Sequence, residues 1–269
     1  MRADVYIHIN GYADSRKKAQ VLIDLKAVSI DGKIVKKPSE NIDDGLPHSV
    51  EVSFKEKYVG RGGLKLEKAL ELFDISVRGC RCIDIGASTG GFTDCLLQNG
   101  AESVCAVDSG RGQLHPSLLN DPRVTSYEGM NARDLSLADV GGERFDIAVM
   151  DVSFISQTYI IPCVSGRILR GGGIFVSLIK PQFEAGRAAL DKHGVVKKPS
   201  DRYSAAIRVA ESAYANGFEL LDMTDSPIKG GDGNTEYLAA FSLTGNMGSE
   251  IPAEVLSKIK QITFSQRSI

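Results

Sequence analysis

Short apolar runs closed by a charged residue recur along the chain, and stretches with helical spacing of apolar positions fall between them. Cys82–Ile85 leads into Gly86, Val104–Val107 ends at Asp108, Phe145–Met150 ends at Asp151, and Ile174–Ile179 ends at Lys180. Such runs predict buried strands, while Leu64–Phe73 and residues 200–216 carry the three-and-four spacing of helices. Asn99-Gly100 and Asn216-Gly217 supply helix stops, and Asp121-Pro122-Arg123-Val124 leads into a further strand. Strands near 220–224 and 237–243 complete the set, and the polar stretch 246–269 reads as a helix or frayed tail. Alternating strand and helix predicts an α/β domain over 64–245, its sheet mostly parallel with helices on both faces.

Residues 1–55 read as a separate small α+β module. Asp14-Ser15 is placed to cap a helix from Arg16, with Ala19, Leu22 and Ile23 along one face. Val28-Ser29-Ile30, Asp31-Gly32 and Ile34-Val35 predict strand, tight turn and strand, because Asp-Gly suits a hairpin turn with positive φ. Val5–Ile9 fits strand and helix equally. Residues 56–63, rich in charge and glycine, predict a linker, and Arg61-Gly62-Gly63 reads as its hinge.

Composition changes this picture little. The 269 residues are 42% hydrophobic and 25% charged with net charge −2, ordinary for a globular protein large enough for one large and one small domain. No apolar run approaches the roughly 18 residues of a membrane span, and no signal peptide is read, so a cytoplasmic protein without stable membrane insertion is expected. Five cysteines, mostly inside apolar runs, read as reduced thiols; Cys80-Arg81-Cys82 lacks metal-site spacing, and no metal is expected. Local clusters are more telling than net charge. Arg16, Lys17 and Lys18 open a helix, where cations oppose the macrodipole, and Lys33, Lys36 and Lys37 follow the turn; an external anion such as RNA or a solvated charged face both fit.

The turn Asp84-Ile85-Gly86-Ala87-Ser88-Thr89-Gly90-Gly91-Phe92 carries the first candidate chemistry. Strand, glycine turn, helix, strand and a closing acid describe half of a nucleotide-binding fold, with Asp108 able to accept bonds from ribose hydroxyls. The spacing is not Gly-x-Gly-x-x-Gly, and an acid at the strand end repels a diphosphate while tolerating a sulfonium-bearing zwitterion such as S-adenosylmethionine. Open α/β sheets bind ligands beyond the carboxyl ends of their strands, so Asp84, Asp108, Asp151 and Lys180 are expected around one crevice. A buried ion pair tying two strands is the alternative reading of Asp151 and Lys180, but charged residues directly after apolar strands rarely serve packing.

Ser15–Gln20 with Val28–Lys33 resembles the S4-type RNA-binding domain, with Lys26-Ala27 in place of its usual glycine. Lys65, Asp151, Lys180 and Glu236 resemble the Lys-Asp-Lys-Glu tetrad of FtsJ-like ribose 2′-O-methyltransferases. Arg61–Leu66, Asp84–Asp94, Asp151–Ser156, Lys180–Glu184 and Gly233–Leu238 together resemble the TlyA family, also labelled hemolysin, in unbroken order from residue 1 to about 243.

That resemblance implies a Rossmann-like, S-adenosylmethionine-dependent methyltransferase acting on cytidine in 16S and/or 23S ribosomal RNA, with ribosomal RNA or subunits as partner. It implies Lys180 as the base oriented by Asp151, with Lys65 and Glu236 placing the ribose and balancing charge. A free lysine is protonated at neutral pH, and a second lysine and partial burial disfavour its charged form. Cofactor contacts would come from Asp84, Gly86, Ser88, Thr89, Gly90, Gly91, Phe92, Asp108 and Asp134, with Asp84 acting directly or through helix amides. RNA contacts would come from Arg2, Arg16, Lys17, Lys18, Lys33, Lys36, Lys37 and Arg61. A membrane-active hemolysin and a non-catalytic ribosome-binding protein are the alternative functions. Oligomeric state is not legible.

Overall fold

A computed structural model describes residues 1–13, 15–24, 26–53, 57–230, 233–248 and 250–265. Asp14 of the expected helix cap, Glu56 of the linker and 266–269 of the tail lie outside the described residues. The chain divides into two compact units at Glu56/Lys57.

The first unit holds α1 (Ala3–Ile9), α2 (Arg16–Asp24), β1 (Val28–Ile30), β2 (Lys33–Ile34) and β3 (Val50–Val52). The ambiguous Val5–Ile9 run is helical, because Ala3, Tyr6 and Ile7 at helical spacing bury one face. Ser15 Oγ accepts the Lys18 N–H at 3.1 Å and starts α2. Asp31 (φ 50°) and Gly32 (φ 74°) are both left-handed, as a tight hairpin turn between β1 and β2 requires. Lys26, in place of glycine, takes φ 55° at a cost of about 1 kcal/mol. Strand β3, unforeseen in the sequence, pairs antiparallel with the other edge of β1, so the sheet runs β2-β1-β3.

The second unit contains α3 (Gly62–Leu72), β4 (Arg81–Ile85), α4 (Gly91–Gln98), β5 (Ser103–Asp108), α5 (Pro116–Leu119), β6 (Val124–Glu128) and β7 (Phe145–Met150). It continues with α6 (Ile161–Cys163), β8 (Leu169–Ile179), α7 (Pro181–Glu184), α8 (Pro199–Ala215), β9 (Phe218–Asp225), β10 (Tyr237–Leu243) and α9 (Ala253–Phe264). Sheet order is β6-β5-β4-β7-β8-β10-β9. Strands β4 to β8 run parallel to one another, whereas β10 is inserted antiparallel between β8 and β9. One core face gathers Ile83, Ile85, Phe175 and Phe241 under Val209 of α8 and Ile259 of α9. The opposite face gathers Cys82, Val104, Val149 and Leu238 under Leu66 and Ala69 of α3 and Leu96 of α4.

Three expectations change. The strand expected over Ile174–Ile179 begins earlier, at Leu169, so that Gly171–Gly173 lies within β8, where pairing slips from Phe145↔Leu169 to Ile147↔Ile174. Arg61-Gly62-Gly63 is no hinge: Gly62 and Gly63 begin α3, and a Cβ on Gly63 would sit 2.3 Å from the Tyr58 ring. Val59 N–H also donates to Asp94 at 2.8 Å, so much of the expected linker packs on the second unit. Residues 253–264 are an amphipathic helix against α8 and β9, with Ile259 and Thr263 buried.

Candidate active site

Carboxyl ends of parallel strands place Asp108 at the end of β5, Asp151 after β7 and Lys180 after β8 along one edge of the sheet. Glu236 reaches the same edge for a different reason. Because β10 runs antiparallel to β8, with Tyr237 opposite Ile179, the residue preceding β10 lies beside the residue following β8. Lys65 comes from the first turn of α3, which packs on α4 and β10.

Two lysine–carboxylate pairs result. Lys65 Nζ donates to Glu236 Oε2 at 2.6 Å, with Glu236 3% and Lys65 11% exposed. Lys180 Nζ lies 2.6 Å from Asp151 Oδ1 and donates to Ser153 Oγ at 2.8 Å. The Asp151 contact is an ion pair off the hydrogen-bond line, since Asp151 Oδ1 is buried yet receives no aligned donor; the aligned partner of Lys180 is Ser153. Gly230 comes so close to Glu236 that a Cβ there would lie 2.5 Å from Oε1.

Two adjoining clefts open on this edge, sharing Gly86, Ser88, Asp151 and Ser153. The smaller, about 280 Å³, contains Lys65, Asp151 and Lys180, with Arg61 and Lys229 among its lining residues. The larger, about 640 Å³, is lined by Asp108 and Gln113 together with the apolar Val107, Met130, Ile155 and Ile160. Asp108 is held ready: Oδ2 accepts the Ser88 N–H at 2.8 Å and Oδ1 the Gly110 N–H at 2.7 Å. An acid beside an apolar slot matches a ribose joined to a base.

Several expected cofactor residues stand elsewhere. Asp84 is fully buried and lines neither cleft; its Oδ2 accepts the Thr93 hydroxyl at 2.7 Å, and Oδ1 has no partner. Burial, with the Thr93 bond opposing it and Asp151 reinforcing it, pushes the Asp84 carboxyl up to about 7. It is joined to the start of α4 through that Thr93 bond. Gly90 serves packing, since a Cβ on this left-handed residue would meet Leu118 at 2.2 Å. Gly91 abuts the backbone of Gly60 and Gly63. Gly86 (φ 87°) does line both clefts, and a Cβ would come within 2.7 Å of the Asp151 carbonyl. Thr89 and the buried Phe92 border the smaller cleft instead of the larger. Asp134 is exposed and off the lining, which Asn131, Ala132 and Arg133 supply.

The cationic residues also divide. Asp4, fully buried, accepts Arg2 Nε at 3.0 Å, Arg16 Nε at 2.9 Å and Gln20 Nε2 at 2.7 Å. The Arg2 guanidinium, then Gln20 and Arg16, hold its carboxyl well below the usual carboxylate range. Arg2 and Arg16 are therefore organisers of the first unit's helices, with half-exposed side chains. Lys33, Lys36 and Lys37 line one exposed groove with Ile34 and Ser39, while Lys17 is exposed and Lys18 half-buried on α2.

Ser153, Gln113 and Phe154 were missed in the sequence. Phe154 is 92% exposed, adopts φ 66° and packs its ring 5.2 Å from Phe183. A phenylalanine left in water and in a left-handed conformation is unusual, but neither property is legible before the loop is folded.

Comparison with known proteins adds a family context. The FtsJ-like methyltransferase model matches residues 58–243, and the S4 domain model matches 1–46. The chain is 43% identical to the 16S/23S rRNA (cytidine-2′-O)-methyltransferase TlyA of Mycobacterium tuberculosis, covering 88% of this chain and 87% of that protein. It is 44% identical to Hemolysin A of Brachyspira hyodysenteriae, covering 90% and 99%. A solved structure of a hemolysin-named protein from Streptococcus thermophilus is 40% identical, with TM-score 0.75 over 97% of this chain and 95% of that one. A Listeria monocytogenes structure named for S-adenosylmethionine-dependent methyl transfer, 13% identical with TM-score 0.50 over 68% of this chain and 99% of that one, shares the fold.

Proposed function

Since the chain belongs to the FtsJ-like methyltransferase family, in its S4-bearing TlyA branch, we propose that it methylates the ribose 2′-hydroxyl of cytidine in ribosomal RNA. The observation that carries this reading is the meeting of Lys65, Asp151, Lys180 and Glu236 beside a cleft with a preset ribose acceptor, Asp108.

S-adenosylmethionine is the methyl donor in this reading, supplying an electrophilic methyl on a sulfonium sulfur. Asp108 would hold its ribose hydroxyls, and Val107, Met130, Ile155 and Ile160 would flank its base. The unprotonated amine of Lys180, its ammonium proton first released to solvent, would take the proton of the RNA 2′-hydroxyl as that oxygen attacks. Asp151 and Ser153 fix the nitrogen in place. Lys65, held by Glu236, presents a second cation to the target ribose without facing Lys180 as an unpaired charge. Positioning supplies much of the acceleration, since the hydroxyl and methyl must meet in line. Phe154 offers an exposed ring face on which an unpaired base would stack. Lys33, Lys36 and Lys37 of the S4 domain would grip backbone phosphates, with Arg61 and Lys229 doing so at the smaller cleft.

Hemolysin-named relatives raise a membrane-active reading. Among the described residues no helix is long and apolar enough to cross a membrane. Incubating ribosomal RNA and each ribosomal subunit with methyl-labelled cofactor, then hydrolysing in alkali, tests the proposal. Label at a cleavage-resistant cytidine is expected; label with unchanged cleavage would mean base methylation and overturn it. Lys180→Ala is expected to lose about 10²- to 10⁴-fold in rate, the usual worth of a general base, with cofactor binding kept.

A further inference from the structure

Glu184 is the best-held carboxylate near the site that the mechanism does not use. It is 2% exposed on α7, four residues after Lys180. Its Oε2 accepts the Ser156 hydroxyl at 2.5 Å, and its Oε1 accepts the Gln157 amide N–H at 2.8 Å. Both donors belong to the loop following β7, the loop that carries Asp151 and Ser153. Gln157 carries the tie further: its side-chain amide donates to the Leu178 carbonyl at 2.6 Å and accepts the Ser177 hydroxyl. The loop is therefore fastened to the chain on both sides of Lys180, to Ser177–Leu178 before it and to Glu184 after it.

We propose that Glu184, acting through Ser156 and Gln157, is a positioning residue that sets where Asp151 and Ser153 stand relative to the Lys180 amine. Lys180 and its two partners follow different strands, and backbone pairing of β7 and β8 ends at Met150↔Ser177. Past that point side chains connect the two segments: the clamp, the Phe154–Phe183 ring contact and the contacts of Lys180 itself. Phe154 supports this view: a left-handed phenylalanine with an exposed side chain persists only where its surroundings dictate the backbone. The bonds at Ser156 and Gln157 supply that constraint two and three residues later. Burial raises the Glu184 carboxyl above its usual value, and the Ser156 and Gln157 bonds oppose the rise by favouring the charged form.

This inference rests on the reading of Lys180 and Asp151 as reacting-site residues, and the experiment separates the two. The full chain, Glu184→Gln, Ser156→Ala and Lys180→Ala are assayed on ribosomal RNA over a pH series, with S-adenosylhomocysteine affinity and melting temperature measured for each. Glutamine offers one acceptor oxygen where the carboxylate offers two, so it cannot accept from both Ser156 and the Gln157 amide. Its kcat is expected to fall about 10- to 100-fold, the size of a small misplacement of reacting groups, with KM and S-adenosylhomocysteine affinity within about threefold. The ascending limb of its pH–rate profile is expected to move, because the surroundings of the base have moved. Ser156→Ala, the milder cut, is expected to shift kcat in the same direction by less. Wild-type kcat and pH profile in Glu184→Gln, or a loss of kcat, affinity and melting temperature in parallel, overturns the clamp while an inactive Lys180→Ala leaves the site reading intact. Full activity in Lys180→Ala overturns the site reading itself.

Discussion

Lys65 and Glu236 stand 171 residues apart in the chain and 2.6 Å apart in space, both largely removed from water. Lys65 lines the smaller cleft, and among the described residues neither partner forms a second ion pair. Glu236→Ala is expected to destabilise the second unit by about 3 to 5 kcal/mol, because it strands a buried ammonium. Glu236→Gln is expected to cost less in stability and still reduce methylation. Urea unfolding alongside turnover on ribosomal RNA checks both; an unchanged midpoint in Glu236→Ala would contradict the buried pairing.

Ser153 supplies the aligned hydrogen bond to Lys180, whereas Asp151 supplies charge off that line. Ser153→Ala is expected to lower kcat by about tenfold, the worth of one hydrogen bond to a charged group, and to leave cofactor affinity unchanged. Asp151→Asn is expected to cost more, since it removes the countercharge as well. Single-turnover rates at saturating cofactor distinguish the two, and a Ser153→Ala enzyme with the wild-type rate would assign that bond to packing.

Stability is expected to depend on pH through Asp84. Its carboxyl is raised from 3.8 to about 7 in the folded chain, chiefly by burial. Between those values the native protein keeps a proton that the unfolded chain has released. The cost of burying the charge is thus absent below the lower value and complete above the upper one, so this group's contribution falls as pH rises through the window. Asp84→Asn is expected to gain on the wild type by a few kcal/mol, roughly, between pH 4 and pH 8. Chemical denaturation at pH 4.5 and pH 8 measures it, and an equal difference at both would refute the assignment.

Gly86 combines a left-handed φ of 87° with the close approach of the Asp151 carbonyl. Gly86→Ala is expected to destabilise by about 2 to 3 kcal/mol, from backbone strain plus overpacking, and to weaken S-adenosylhomocysteine binding. Calorimetric titration with thermal melting reads both, and wild-type affinity with a lowered melting point would confine Gly86 to folding.

Asp4 makes a separate test of the first unit. Asp4→Ala removes the shared acceptor of Arg2, Arg16 and Gln20 and is expected to cost about 2 to 3 kcal/mol through lost charge-assisted bonds. Its lowered carboxyl makes that stability present above the ordinary carboxylate range and lost as pH falls below it. Amide exchange of α1 and α2 at pH 7 and pH 3 follows it; equal protection in wild type and variant at pH 7 would discount the hub.

The alternation of apolar strands and amphipathic helices, the glycine turn after β4, and the acids at strand ends were legible in the sequence because each is set by neighbours a few residues away. Strand ends fall on one edge of any parallel sheet, so Asp108, Asp151 and Lys180 could be grouped before the fold was known. Tertiary structure decided the rest. The antiparallel insertion of β10 carries Glu236 to Lys65, and no local pattern encodes a pairing across 171 residues. Whether Asp84 faces a cleft or only the start of α4 could not be read from its place in the turn; burial leaves it bonded to Thr93. Arg2 and Arg16 read as cations for an external anion until α1 brought Asp4 between them. Ser153 and Glu184 gain their roles from a loop and a short helix meeting beyond the last paired residues of β7 and β8. Local chemistry can be read along the chain; which charges meet depends on register and direction in the sheet.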